Sequence, residues 1–264
     1  MKKYLEIAKI TLKELFEYRF NVVAGALMSI FRILLAYFLW QAIFQEKAMI
    51  GDFTFSMMLT YYILTSFFMR MNQSEGVMWQ FAGEVKNGQF TKYVVRPVNP
   101  IGFFITKSLT KTFFILMINV VAFVVWIAVF RNYVVPPASL EIMLWVLFFL
   151  FGGIMIMIQT NYFISMMSFK LVEIGGFFYM TLNIIEFLSG ALVPLSLLPA
   201  AVVGVIKYFP YYYTLYFPAS LYLNMNATDI PTAIAAVIAW NVILISINAL
   251  LYRRLFRYYE GVGA

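Results

Sequence analysis

Six apolar stretches constrain this chain more than any motif it carries. They are Phe20–Phe44, Phe53–Met69, Thr112–Phe130, Ile142–Phe169, Ile174–Val193 and Ala233–Tyr252. A helix needs about 20 apolar residues to cross a bilayer core, and each stretch is near that length. The second is short and the fourth is long, which tilting or projection accommodates. Only 12% of the 264 residues are charged, against about 25% in soluble domains. That is too few to cover a water-facing surface. The expected class is an all-α integral membrane protein with six transmembrane helices in one domain.

The Lys and Arg distribution orients these spans. Fifteen lie in the N-terminal segment, in residues 70–111, at Lys170 and at the C-terminus. Three, Lys47, Arg131 and Lys207, lie in the alternate connections, and Arg32 lies within the first span. Basic residues are retained on the cytoplasmic side. Both termini and residues 70–111 are therefore expected in the cytoplasm. The net charge of +7 has the same origin and does not indicate nucleic acid.

Two segments outside the spans are expected to touch the membrane. In residues 1–19, Leu5, Ala8, Leu12 and Leu15 recur at helical spacing, with Lys2, Lys9, Lys13 and Glu6 on other faces. That pattern predicts an amphipathic helix in the interface. Residues 194–232 are too apolar for an ordinary loop. Between Pro199 and Pro210 the apolar run is too short to span, and prolines end helices. Short re-entrant helices are expected there, with Tyr208, Tyr211, Tyr212, Tyr213, Tyr216 and Tyr222 forming an interfacial aromatic belt.

The absences restrict the chemistry. There is no Cys and no His, which removes disulfides, thiol chemistry and the commonest metal ligand and general base. No phosphate-binding G-x-x-x-x-G-K-[ST] loop occurs, so ATP binding by that route is not on this chain. No catalytic or metal-binding constellation is expected. Two charges lie at membrane depth, Arg32 and Glu186, and each must face protein, water or a partner. They are expected to approach each other or to share a polar cavity. Asn119, Gln159, Asn161, Asn183, Asn241 and Asn248 are expected mostly to bond between helices. Gly152-Gly153 and Gly175-Gly176 read as packing positions.

Residues 86–104, "KNGQFTKYVVRPVNPIGFF", interrupt the apolar pattern with basic residues, prolines and glycines. Their "VVRPVNP" is close to an L-x-R-P-x-N signature. "FLSGALVPLSLLP" (187–199), "YFPYYYTLYFP" (208–218), Trp240 and the basic end "RRLFRYYEGVGA" follow in order. Together these features resemble permease subunits of ABC transporters, in the six-span exporter class called ABC type two. The resemblance implies a like or unlike dimer of permeases in a bacterial plasma membrane. It also implies a separate subunit that carries ATP and Mg on the cytoplasmic side. A coupling helix is then expected within Gln73–Val95, with Glu75, Glu84, Lys86 and Asn87 as contacts and Arg96-Pro97 as the corner back to the membrane. The cargo expected from the apolar composition is amphipathic or lipid-like. The competing readings are a self-contained channel or secondary transporter, and a membrane scaffold or assembly factor. An internal repeat, the mark of many secondary transporters, is not visible.

Overall fold

The computed structural model describes residues 2–17, 19–95, 99–171 and 174–259. These form eleven α-helices joined by turns and short 3-10 segments, with no strand among the described residues. The chain is an all-α membrane protein. The expected corner at Arg96-Pro97 lies outside the described residues.

Every predicted span corresponds to a helix: α2 (Arg19–Phe44), α3 (Phe55–Met71), α6 (Pro100–Val129), α7 (Leu140–Met166), α8 (Gly175–Leu188) and α11 (Ile230–Leu255). Among the described residues, Pro100–Val129, Leu140–Phe169 and Ala227–Tyr258 are long and apolar enough to cross a membrane. The remaining helices are α1 (Lys2–Glu17), α4 (Ser74–Lys86), α5 (Thr91–Val95), α9 (Ala200–Ile206) and α10 (Tyr216–Tyr222).

Two boundaries differ from the expected spans. The helix expected to begin at Thr112 begins at Pro100. Asn99 caps it by accepting from the Ile101 amide at 2.9 Å, and proline suits the first helical position because its missing N–H would be unpaired there anyway. Lys107 and Lys111 therefore belong to a helix and not to the loop. Lys107 is buried against α1 and pairs with Glu14 at 3.0 Å. Tyr4 packs over Gly102 and Phe16 meets Phe114 edge-on at 5.1 Å, so α1 runs alongside α6. Leu5 and Ile10 remain exposed.

The other difference is at α8. Its 14 residues span roughly 21 Å, less than the core of about 30 Å. It ends in a left-handed cap and not at Val193. Gly190 has φ +74°. Its N–H donates to Phe187 O at 3.1 Å, and the Ala191 N–H donates to Glu186 O at 3.1 Å. This pair of reversed bonds satisfies the last helical carbonyls. The chain then folds inward, and every residue of α10 is buried. Irregular backbone at membrane depth is tolerated only where protein or a cavity covers it. The inward fold also corrects the aromatic belt. Tyr212, Tyr216 and Tyr222 are core residues, while Tyr208 is 81% exposed.

Polar side chains join α7 to α11. Gln159 Nε2 donates to Asn241 Oδ1 at 2.9 Å, and Asn248 Nδ2 to Gln159 O at 3.0 Å. Gly152 and Gly153 allow Val237 and the backbone of Thr214 to approach closely. Gly176, by contrast, has nothing among the described residues within contact of an added Cβ.

Candidate functional site

Asn72 and Gln73 interrupt the helix between α3 and α4. Asn72 Oδ1 accepts from Ser74 Oγ at 2.6 Å, and Asn161 Nδ2 on α7 donates to the same hydroxyl at 2.7 Å. This junction fixes α4 against α7. Its apolar face inserts Phe81 into a ring cluster with Phe90 at 5.1 Å, Phe104 at 4.9 Å and Tyr162 at 5.5 Å. Such ring pairs contribute about 0.5–1.5 kcal/mol each beyond area burial. The chain after α11 closes the arrangement. Tyr259 Oη donates to Gly88 O at 2.7 Å and accepts from the Thr91 amide at 2.9 Å.

The four expected contact residues separate within this scaffold. Glu84 is buried, and its Oε1 accepts from Lys92 Nζ at 2.9 Å and Gln80 Nε2 at 2.7 Å. It braces the turn and is not available to a partner, which corrects the expectation of a surface contact. Glu75 is half-buried and faces a cavity. Lys86 and Asn87 are exposed at the tip of α4. Val95, at the end of α5, is 79% exposed. Sequence reasoning missed Val95 because one apolar residue in a basic loop has no distinguishing context. Among the described residues of this segment, Lys86, Asn87, Gln89, Thr91 and Val95 are the exposed ones.

Glu75 faces a cavity of about 100 Å³ bounded by α3, α4, α7, α8 and Thr214–Leu215. Glu75 and Glu186 are its two ionisable lining residues. Burial, and then the charge of Glu186, raise the Glu75 carboxyl above its ordinary range. A raised acid is penalised in the folded state once ionised, and the penalty fades as pH falls through the folded pKa. Glu75→Gln is therefore expected to raise the melting temperature in detergent near pH 7–8. The gain should shrink on acidification toward the ordinary carboxylate range. A gain independent of pH would contradict this.

The Arg32–Glu186 pair expected from depth does not form: no ion pair between them is present among the described residues. Arg32 donates instead to Ala191 O at 2.7 Å and contacts Met69 Sδ at 2.9 Å. The neighbouring carbonyls are held by α3. Tyr61 Oη donates to Gly190 O at 2.7 Å and Tyr62 Oη to Leu192 O at 2.6 Å. The turn after α8 exposes three successive carbonyls that no helix pairs. The guanidinium and two phenols satisfy them, as membrane depth requires. Arg32 thus braces the elbow through Ala191, and Glu186 lines the cavity.

Over residues 30–263 the chain matches the family model described as ABC-2 family transporter protein. No curated protein and no solved structure gives a significant match.

Proposed function

The chain belongs to the ABC-2 transporter family, and on that premise we propose that it is the permease half of an ATP-driven exporter. Its family is a membrane transport component and not a catalytic one. A partner subunit holds ATP and Mg²⁺ and docks on the face of Lys86, Asn87, Gln89, Thr91 and Val95. That face is the cytoplasmic one by the basic-residue bias. A second permease copy, like or unlike, completes the pathway. It covers α8, whose Phe177, Met180, Ile184 and Phe187 are exposed. The cargo is an amphipathic or lipid-like molecule, and Glu75 and Glu186 line its route.

The observation that carries this reading is the exposed tip held on a rigid base. Phe81 and Phe90 are fully buried beneath it, and Tyr259 clamps Gly88. A push on Lys86–Val95 therefore meets α6, α7 and the segment after α11 and is not absorbed in a loose loop. Reversing charge at the tip tests it. Lys86→Glu combined with Val95→Asp should lower transport-coupled ATPase activity about tenfold or more, because like charges and a buried carboxylate at a docking surface cost several kcal/mol. Insertion and melting temperature should stay near wild type, since both positions are exposed. Normal coupled activity in the variant would move the docking face elsewhere.

A further inference from the structure

We propose that the cleft between α2, α3 and α6 is a binding site for one membrane phospholipid, held by a fatty-acid ester carbonyl. The cleft has a volume of about 390 Å³, within the range of small-molecule sites. Its walls include Ile33, Ile63, Phe123, Trp126 and Phe130. Val125 and Val129 on its rim are 55% and 65% exposed, so it opens sideways toward the bilayer.

Two polar side chains interrupt this apolar wall. Asn119 is 3% exposed and Ser66 is 4% exposed. Asn119 Nδ2 and Ser66 Oγ have no hydrogen-bond partner. A buried donor left unpaired costs about 1–3 kcal/mol, and more in hydrocarbon. Other buried amides of the spans make bonds: Gln159 to Asn241, Asn161 to Ser74 and Asn248 to the Gln159 carbonyl. Those three amides bond their NH2 group and leave only an oxygen unpaired, whereas Asn119 leaves its NH2 donor unpaired beside the cleft; Ser66, one of several buried hydroxyls without a partner, lines the same cleft.

The occupant follows from this lining. It must be apolar over most of its length and must offer an acceptor where Asn119 and Ser66 meet it. Water does not fill a cavity of this size with two polar partners, since each buried water needs about three bonds. An acyl chain with its ester carbonyl meets both conditions, and the bilayer supplies it at the rim. Arg70 lines the same cleft one helical turn beyond Ser66, which sets positive charge on the side where the lipid phosphate lies. The inference stands apart from the transport reading, because it concerns the outer wall of the bundle and no partner subunit.

The test compares a diacyl phosphatidylglycerol with its dialkyl ether analogue, which lacks the ester carbonyls. Native mass spectrometry would count lipid retained by the detergent-purified chain. The wild type should keep one ester lipid and hold it at least about fivefold better than the ether lipid, one hydrogen bond's worth of affinity. Asn119→Leu, close in volume and apolar, should lose that preference while keeping its fold. Ser66→Ala, which leaves the wall shape nearly unchanged, should reduce it. Equal retention of ester and ether lipid by the wild type would overturn the proposal. An undiminished ester preference in both variants would overturn it as well.

Discussion

Replacing Arg32 by leucine is expected to destabilise the chain by about 1.5–3 kcal/mol, the range for a hydrogen bond involving a charged group. The Ala191 carbonyl it serves is fully buried, so its loss leaves an acceptor unpaired in hydrocarbon. Leucine replaces the volume but not the bond. Lysine should recover part of the loss, since it keeps one charged donor but lacks the fork that reaches both Ala191 O and Met69 Sδ. Thermal unfolding in detergent would read this as a fall in melting temperature, in the order wild type, Arg32→Lys, Arg32→Leu. A leucine variant that melts with the wild type would show that the elbow stands without the guanidinium. The companion change Glu186→Leu should not rescue Arg32→Leu, because the two groups are not partners.

Gly190→Ala is expected to cost more, about 2–5 kcal/mol when two effects combine. A left-handed conformation costs a non-glycine residue about 1–2 kcal/mol, and overpacking a tight site costs about 1–3 kcal/mol. Gly190 has φ +74°, and an added Cβ would lie 2.8 Å from Tyr61 Oη and 3.0 Å from Tyr216 Cβ. Tyr61 cannot recede easily, because its ring is fully buried and its hydroxyl holds Gly190 itself. Gly51 offers the control. It has φ +57°, but its added Cβ would meet only the tip of the Leu197 side chain, which can turn aside. Gly51→Ala should therefore lose mainly the conformational part. Equal losses at both positions would mean that the crowding at Gly190 carries no weight.

Much of this architecture is readable from hydropathy because helices in lipid must be apolar and pair their own backbone. The six apolar helices follow from that requirement; the burial of α10 inside the protein, where an interfacial aromatic belt was expected, does not. The readable part ends where the determinants are not periodic. The start of α6 was masked by Lys107 and Lys111, whose charges look like loop residues until Glu14 is placed beside one of them. Asn99-Pro100, a cap followed by a first-turn proline, was the local signal for it. The end of α8 was likewise signalled by Ser189-Gly190. The partner of Arg32 had no signal at all. Backbone carbonyls are the same in every residue, so a guanidinium that serves one leaves no mark on the sequence. Glu84 misled for a related reason. A carboxylate in a polar loop reads as exposed, and only the fold brings Lys92 back against it at 2.9 Å. Lys86 and Asn87 lie exposed at the end of α4.

If this permease works through a separate ATP-binding subunit docked on Lys86–Val95, the two should be recovered together. The direct measurement is the recovery of that subunit with the chain. The tagged chain would be purified from membranes of its own host, alongside the Lys86→Glu and Val95→Asp double variant, with ATPase activity and subunit stoichiometry read on both. The account predicts a Walker-type ATPase recovered with the wild type at about one copy per permease chain, and lost from the equally stable variant. A wild-type permease recovered without any ATPase, or a variant that retains it in full, would contradict the account.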